Sequence, residues 1–552
     1  MLRAVLIAVT ALTLAPAAGA AVVAYPSAQT IPASGPLPQD GGRALTLSTG
    51  IGEREGGWIV VTGAANVAAS IDGSQLGPLK AAVYFGHFVA FGSRAVPDAL
   101  LPWDGAARPV EKPNQPIYVQ VLVPPDARPG GYRATVHVTA DGRTTDVPIA
   151  VRVFGVRLPA PNAVDGNLLT SFHVVPESYV AKADALYHLG SNAARSAANQ
   201  SLFSFLAAYR ISPAGWGFGE PRTAAGYTSS PQWWRDAAGN MVRESSLGFA
   251  TMRLPISNQR ASERNRIAGI SPLAPATWCD YLQSVRGFWE QHGWLAGRIP
   301  YLYALDEPGP TGMRFVAEQA QTAHRCFPGA RVLVTGNPVP SNRFLWDDRD
   351  HDDVDIWSVL SRRYYGDFHA PRGQLALVEK ARRAGKMMWS STYTGTPGTP
   401  GYRASEPLSD PRMFLLWNAL EGIRGTLYGQ GMTSFTPGNP FDALAADGEF
   451  VLLYPGRNGP IASARLEQIR DGIEDWDVFD VVRRKRGAGA VRAILADAGL
   501  FSADRDGVKL GCIRGCELRS PTKFAWPVWS HDAATAAKIE RARIAALRVA
   551  AS

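Results

Sequence analysis

The 552-residue chain is longer than one hydrophobic core usually organises, so the sequence predicts two or three domains. Hydrophobic residues make up 46% and charged residues 19% of it, a balance that excludes a disordered chain and a bundle of membrane helices. The net charge of +8 is spread over many segments without a lysine-rich block. This distribution favours a solvated surface, with an acidic glycan as a weaker alternative and no nucleic-acid partner.

The first 20 residues have the three parts of a secretory signal. A charged start ending at Arg3 is followed by an apolar run over 4–15 and by Ala18-Gly19-Ala20, which fits a cleavage site. The apolar run is too short to span a bilayer, and no later stretch is apolar over the length that a membrane helix needs. We therefore expect a signal peptide at 1–20 and a protein that is secreted or attached to the cell envelope, without integral membrane association. A retained N-terminal anchor is the alternative.

Four cysteines are too few for a disulfide framework in a chain of this length, but an even number in an exported protein allows two bridges. Cys512 and Cys516 are near enough in sequence to close a small loop, which would leave Cys279 and Cys326 to pair. Neither spacing fits a zinc site, and no histidine cluster accompanies the cysteines.

Residues 21–160 are rich in turns and alternate between apolar and polar side chains. Runs with a period of two and many β-branched residues lie at 58–61, 118–123, 132–138 and 147–153. Asp141-Gly142 separates the last two runs and is a strong hairpin signal. Short strands at this spacing predict an antiparallel β-sandwich domain, followed by a proline-containing linker at 158–161.

After residue 161, apolar strand candidates alternate with stretches of helical spacing, the pattern of an α/β domain with a parallel sheet. The candidates lie at 168–172, 211–213, 251–254, 301–305, 332–335, 356–359, 387–390 and 425–428. Strands in this number predict a (β/α)8 barrel of the TIM type, in which catalytic groups lie on the loops at the strand ends.

Two helices are expected near the end of the chain. Residues 463–479 place apolar side chains at helical spacing with charged residues between them, which predicts an amphipathic helix packed on a core. A last helix is expected over 532–549, with Asp532 as its cap. The predicted domains are therefore a β-sandwich at 21–160 and a catalytic barrel with a C-terminal helical extension at 161–552.

The best candidate for chemistry is the pair Asp306-Glu307. It follows the apolar and aromatic run 301–305 and precedes Pro308, which cannot donate to a ladder and so ends the strand. Two neighbouring carboxylates at a strand end repel each other and lie partly out of water, so the pair can supply one acid and one anion. Glycosidic bond cleavage needs that combination, although a solvated turn is the alternative for so common a dipeptide.

Aromatic residues on or near the predicted loops suggest a groove for a carbohydrate, because indole faces stack on the apolar faces of sugar rings. A phenol at such a position can also donate to a substrate carbonyl or to a developing charge. Core packing is the competing explanation for each of them. The substrate-binding candidates are Tyr303, Trp216, Trp357, Tyr364, Tyr365, Trp389 and Tyr393.

We expect neither a metal nor a cofactor. The run that contains His351, Asp352, Asp353 and Asp355 has the composition of a metal cluster, but it lacks the ligand ladder and turn glycine of a calcium loop. Nucleotide-binding, zinc-protease and serine-hydrolase motifs are not found in the sequence.

Two segments together resemble glycoside hydrolase family 123. They are the run 301–308, which ends Asp306-Glu307-Pro308 and is preceded by Gly293-Trp294, and the helical run 465–476. Supporting matches lie at 96–100, 209–213, 447–448 and 454–456, so the resemblance extends from about residue 90 to the C-terminus.

The resemblance implies a β-sandwich followed by a (β/α)8 barrel, and an exo-acting β-N-acetylgalactosaminidase that uses substrate assistance. In that mechanism the 2-acetamido oxygen of the sugar attacks the anomeric carbon, so the enzyme supplies no nucleophile. By the family pattern Asp306 orients the acetamido group and stabilises the oxazolinium, while Glu307 protonates the leaving oxygen and then activates water.

This chain departs from the family pattern at two places that would help to form the sugar pocket. A tryptophan is expected where Gly429 and Gln430 stand, and an aromatic cluster is replaced by Ser390-Ser391 and the residues after them. Two other functions stay open. One is a non-catalytic glycan-binding protein of the cell envelope, and the other is a conventional glycosidase on a non-acetylated sugar, which needs a further acid such as Asp367 or Glu406.

Overall fold

The computed structural model describes residues 20–161, 163–214, 249–254, 275–346, 353–361, 364, 374–392, 400–429, 431–435, 437–444, 448–501, 530 and 532–552. These residues form a mixed α/β fold in which an antiparallel β-rich region precedes a nearly closed parallel sheet. Residues 1–19, where we expect the signal peptide, lie outside the described part. Among the helices that are described, none is long and apolar enough to cross a membrane.

The N-terminal region consists of two five-stranded sheets, in the orders β1-β3-β8-β5-β6 and β2-β10-β9-β4-β7. Their pairs are antiparallel except β2 with β10. The strands are β1 (Ala21–Pro26), β2 (Leu45–Ile51), β3 (Arg54–Thr62), β4 (Asn66–Asp72), β5 (Lys80–Phe91), β6 (Arg94–Pro102), β7 (Arg108–Pro109), β8 (Asn114–Leu122), β9 (Gly130–Ala140) and β10 (Arg143–Arg157).

Alternating apolar side chains of the two sheets meet in one core. Ile59 and Val119 come from the first sheet, and Val136 and Val151 come from the second. The predicted hairpin at Asp141-Gly142 is confirmed, since β9 pairs with β10 and both turn residues have positive φ.

The second region is built on a seven-stranded parallel sheet whose order is β11-β17-β16-β15-β14-β13-β12. Its strands are β11 (Leu169–Phe172), β12 (Thr251–Arg253), β13 (Ile299–Leu305), β14 (Arg331–Thr335), β15 (Ile356–Leu360), β16 (Met387–Ser391) and β17 (Gly425–Tyr428). The prediction of a strand at 211–213 is wrong, because these residues do not form one. They contribute a single parallel bridge between Phe172 and Pro213, and proline has no N–H with which to extend a ladder.

Helices follow the strands of this sheet, and the last of them packs against β2 and β10 of the N-terminal region. The helices are α1 (Pro176–Tyr187), α2 (Asn192–Ala208), α3 (Pro275–Gln291), α4 (Pro310–Cys326), α5 (Gln374–Arg383), α6 (Asp410–Glu421), α7 (Ala464–Arg486), α8 (Ala488–Asp497) and α9 (Thr535–Ala551). A disulfide between Cys279 and Cys326 joins α3 to α4, which confirms that pairing, while Cys512 and Cys516 lie outside the described residues. The last helix begins later than predicted and has Ala534 as its N-cap, so the prediction of Asp532 as the cap is wrong; Asp532 accepts from the N–H of Ala534 in the turn before the helix.

Helix α7 differs from the expected amphipathic helix with a solvated charged face. It begins after Ser463, whose side chain accepts from the N–H of Leu466, and it is buried on every side from Ala464 to Asp480. The helix lies between the antiparallel sheets and α6. Side chains from both neighbours therefore pair with its charges, which an exposed face would leave to water.

Candidate active site

The acid pair lies at the C-terminal end of β13, on the side of the parallel sheet where the other strands also end. Residues Pro300 to Leu305 are buried, whereas Asp306 is exposed and Glu307 is half-buried. Both carboxylates line a cavity of about 430 Å³. The ends of neighbouring strands supply much of the rest of the wall, through His173, Arg253, Thr335, Leu360, Ser391 and Tyr428.

A register shift within β13 determines which way the acids point. Tyr303 pairs with Leu333, but Leu305 already pairs with Val334, so Ala304 is an extra residue in the ladder. Tyr303 packs inside the barrel-like sheet, whereas Ala304 and Leu305 both pack on the side of the helices. Because the bulge breaks the alternation, Asp306 falls on the same face as Tyr303 and reaches the cavity.

Two hydroxyl groups hold the same oxygen of Asp306. The phenol of Tyr303 donates to Oδ1 at 2.7 Å, and the Oγ1 hydroxyl of Thr335 donates to it at 2.8 Å. Among the described residues, none donates to Oδ2 of Asp306. The carboxylate is therefore fixed on one side and leaves its second oxygen to the cavity.

Glu307 has φ of +40°, in the left-handed region that residues other than glycine adopt only at a cost of roughly 1–3 kcal/mol. Its backbone N–H donates to Oγ1 of Thr335 at 2.7 Å. Such strained positions cluster at functional sites when the surrounding contacts hold them in place.

The cavity contains one arginine and one histidine as well as the two acids. The guanidinium carbon of Arg253 lies 4.8 Å from the centroid of the Tyr303 ring, and its Nη1 donates to the carbonyl of Ala214 at 3.4 Å. Burial raises the pKa of Tyr303 well above its usual value, and the charge of Asp306 adds to this rise. Burial also lowers the pKa of His173, as does the charge of Arg253 to a smaller extent, so its imidazole is neutral at pH 7.

Several predicted substrate-binding aromatics fill the core and do not line this cavity. Trp357 is buried among the residues that face the helices. Trp389 lies inside the barrel-like sheet, 5.8 Å from Tyr301, where a Cβ at Gly425 would approach its ring to 2.5 Å. Tyr364 packs edge-to-face on Trp417.

Tyr303 is the described member of the aromatic set that reaches the cavity, and its hydroxyl serves Asp306. Trp216, Tyr365 and Tyr393 lie outside the described residues, as do the further acid Asp367 and the pocket position Gln430.

The chain departs from the family pattern at Gly429-Gln430 and at Ser390-Ser391. Gly429 and Ser391 line the cavity, while Ser390 is buried in the sheet. Glu406 pairs with Arg403 and borders a separate cleft between the N-terminal sheets and the C-terminal helix. Asp355 accepts from His324 and Arg331, so this carboxylate of the predicted acidic run is held by two side chains of the protein.

Reasoning from the sequence missed Thr335, His173 and Arg253. Each lies at or just after the C-terminal end of a predicted strand, which is the signal that would have selected them. None of the three belongs to a recognisable sequence motif. That they share a cavity is seen only in the structure, where the ends of their strands lie side by side.

The other motifs behind the family resemblance are structural. Arg465 donates to both oxygens of Asp98 at 2.9 and 2.8 Å, and the hydroxyl of Tyr454 donates to Oδ2 of the same carboxylate. Arg210 pairs with Glu474 and Asp477. These buried contacts join β6, the short strand Leu453–Tyr454 and the segment after α2 to helix α7.

Residues 241–482 match the family described as glycoside hydrolase 123, catalytic domain. The chain contains a family 123 catalytic domain. It is therefore a glycoside hydrolase, and the matched segment includes the Asp306-Glu307 pair, the cavity wall from β12 to β17 and most of helix α7. No curated protein matches the sequence.

A family 123 glycoside hydrolase from Clostridium perfringens, whose published description concerns glycolipid glycan hydrolysis, is similar in structure, with a TM-score of 0.67 and 12% identity over 96% of this chain and 98% of that one. The two proteins share their fold over both regions. A β-glucuronidase from Parabacteroides merdae matches with a TM-score of 0.27, 12% identity and coverage of 77% and 51%. β-Glucuronidase 3 from Bacteroides uniformis matches with a TM-score of 0.26 and 13% identity, over 78% of this chain and 51% of that one.

Proposed function

We propose that this glycoside hydrolase cleaves β-linked N-acetylhexosaminides of the N-acetylgalactosamine type, with retention and by substrate assistance. The observation that carries the proposal is the adjacent pair Asp306-Glu307, the acids that line the described part of the cavity. Conventional glycosidases place two carboxylates on either side of the glycosidic bond, and the described wall holds no such acid opposite Glu307. A cavity of about 430 Å³ is within the range for small ligands.

In the first step the acetamido oxygen attacks the anomeric carbon, and the bond to the leaving oxygen breaks. Glu307 gives its proton to that oxygen, so the leaving group departs as an alcohol. Oδ2 of Asp306 accepts the N–H of the acetamido group and stabilises the positive charge that develops on the oxazolinium ring. In the second step Glu307 takes a proton from water, and the water oxygen attacks the anomeric carbon. The bond from that carbon to the acetamido oxygen breaks, which reopens the oxazolinium ring, regenerates the acetamido group and restores the β configuration.

The remaining polar groups of the cavity suit the hydroxyls of a sugar. The neutral imidazole of His173 both donates and accepts, and the guanidinium of Arg253 donates only. Both lie in the cavity wall with the two acids. We assign them to hydroxyl recognition, which would fix the ring so that the acetamido group reaches Asp306.

Aryl β-glycosides that differ only at C2 test the mechanism. We expect turnover of the 2-acetamido glycoside, little or none of the 2-hydroxy analogue, and inhibition by a thiazoline mimic of the oxazoline. Asp306→Ala should lose turnover of the acetamido substrate, since nothing then orients the amide. Equal turnover of the 2-hydroxy sugar would contradict substrate assistance and would support a conventional mechanism with a further acid such as Asp367.

We infer that residues 211–214 occupy the second strand position of a (β/α)8 barrel. The N–H of Phe172 donates to the carbonyl of Ser212, and the N–H of Ala214 donates to the carbonyl of Phe172.

We also infer export, because the sequence over 1–20 has the parts of a signal peptide. N-terminal sequencing of the protein from the culture medium or cell envelope should find a start after Ala20, and an uncleaved Met1 would contradict export by signal cleavage.

A further inference from the structure

We propose that Thr335 is a positioning residue that sets the orientation of Asp306 and joins it to the backbone of Glu307. The inference rests on the proposed function, since it gives Asp306 the task of holding the acetamido group. Thr335 ends β14, the strand that pairs with β13, so its position is set by the parallel sheet and not by a loop.

The hydrogen-bonding capacity of the hydroxyl is used in a defined way. A threonine hydroxyl has one proton and two lone pairs. The proton goes to Oδ1 of Asp306 at 2.8 Å, and a lone pair accepts the N–H of Glu307 at 2.7 Å. The phenol oxygen of Tyr303 lies 3.2 Å away and directs its own proton to Oδ1 at 2.7 Å. Both hydroxyl protons therefore converge on one carboxylate oxygen.

This convergence prevents the carboxylate from turning about its Cβ–Cγ bond. A carboxylate with both oxygens free would rotate and would present either oxygen, or neither, to the substrate amide. With Oδ1 bound twice, Oδ2 is the oxygen left for the acetamido N–H. Thr335 thus acts through Asp306 on the acetamido oxygen, which is the nucleophile of the reaction. It does not itself protonate the leaving group.

Thr335→Val removes the hydroxyl and keeps the shape, whereas Thr335→Ser keeps the hydroxyl. For the 2-acetamido aryl glycoside we expect kcat to fall roughly tenfold to a hundredfold in the valine variant, the range for loss of a hydrogen bond to a charged group. The serine variant should recover activity to within a few-fold of the wild type. An equal loss in both variants would overturn the proposal, because packing of the γ-methyl group would then explain it.

Substrates with different leaving groups show whether Thr335→Val impairs Asp306 or Glu307. Good leaving groups need little protonation, so a defect in the general acid is small for dinitrophenyl and large for methylumbelliferyl glycosides. A defect in Asp306 slows attack by the acetamido oxygen whichever group leaves. We therefore expect Thr335→Val to lose a similar factor with both substrates and to bind the thiazoline more weakly. A loss confined to the methylumbelliferyl substrate would overturn the assignment to Asp306.

Thr251→Val is the matched control. Thr251 is a buried threonine on β12 whose hydroxyl donates to the carbonyl of Thr170 at 2.7 Å, and it does not line the cavity. If this variant and Thr335→Val lose kcat equally, Thr335 has no special role. The wild-type enzyme decides the proposed function separately. Turnover of the acetamido substrate sustains substrate assistance whatever Thr335 does, and its absence removes that function before any variant is measured.

Discussion

Two regions of this enzyme hold carboxylates in contrasting ways, the catalytic cavity and the packing around helix α7. In the cavity, Asp306 is held by two neutral hydroxyls on one oxygen, and no described residue donates to its second oxygen. Around α7, the carboxylates face arginines. Arg412 donates to Asp475 at 2.7 and 3.2 Å, and Arg543 donates to the same residue at 2.7 Å.

We call this second group the arginine layer. It joins the antiparallel sheets, α6, α7 and α9, and it consists of Arg210, Arg412, Arg470 and Arg543 with Glu53, Glu55, Glu467, Asp471, Glu474, Asp475, Asp477 and Glu540. Carboxyl groups outnumber arginines there. Burial raises the pKa of Glu55 well above its usual value, whereas Arg412 and Arg543 hold the pKa of Asp475 low against the effect of burial.

The difference shows how the acids of this enzyme divide between structure and chemistry. Acids in the arginine layer have their partners within the protein, so removal of one partner should cost stability. The acids of the cavity act on the substrate, so their removal should cost activity and little stability. Variants in the two regions separate these outcomes.

The largest effect is expected for Glu307→Gln, which keeps the shape of the side chain and removes its proton. We expect kcat/KM for a methylumbelliferyl 2-acetamido glycoside to fall by roughly 10²- to 10⁴-fold, the usual worth of general acid catalysis. Steady-state kinetics and urea unfolding on the same preparation test this. A large loss of stability with the loss of rate would place Glu307 among the structural acids instead.

Arg412→Met should show the opposite pattern. Arg412 is fully buried, and its removal leaves Asp475 and Asp471 without this cation, so we expect a loss of about 3–5 kcal/mol in the free energy of unfolding. The folded variant should keep kcat within a few-fold of the wild type. Arg286→Met is the control, because Arg286 forms an exposed pair with Glu290 and should change unfolding far less. Similar losses in the two variants would show that the arginine layer does not stabilise the fold.

The smallest effect concerns pH. Burial raises the pKa of Glu474 to about 7, although Arg470 and Arg210 act in the other direction. The folded protein then binds this proton more tightly than the unfolded chain does. Its contribution to stability is therefore complete below about pH 4.5 and is lost as the pH rises through about 7.

Glu474→Gln removes this titration. The stability of the variant relative to the wild type should rise between pH 5 and 7, with a slope of at most about 1.4 kcal/mol per pH unit. Urea unfolding at half-unit pH intervals measures the difference, and a constant difference over that range would contradict the assignment.

The sequence predicted features that depend on local pattern. The seven parallel strands match seven of the eight candidates, because buried strands in such a sheet are short apolar runs. The acid pair was placed at the end of one of them by Pro308 and by the aromatic run before it. The β9–β10 hairpin followed from Asp141-Gly142, whose residues tolerate the left-handed conformation.

Features that depend on distant partners escaped prediction. Helix α7 has an amphipathic pattern, but neighbours on both sides bury its charged face, and Arg412 and Arg543 come from elsewhere in the chain. Trp357 and Trp389 were expected to bind sugar, and the structure places them in the core, since an indole near a strand end suits either site. Nothing near Thr335 distinguishes it from any other threonine at the end of a strand.

The bulge at Ala304 makes the number of residues in a strand part of the catalytic apparatus. With strict alternation from Tyr303, Asp306 would project towards the helices and Leu305 into the cavity. A related chain with the same spacing from tyrosine to aspartate but with a regular strand in place of the bulge would carry the aspartate on the wrong face. The three-residue spacing from Tyr303 to Asp306 therefore needs a bulge to bring both side chains to one face, and this spacing can be counted in any sequence of the family.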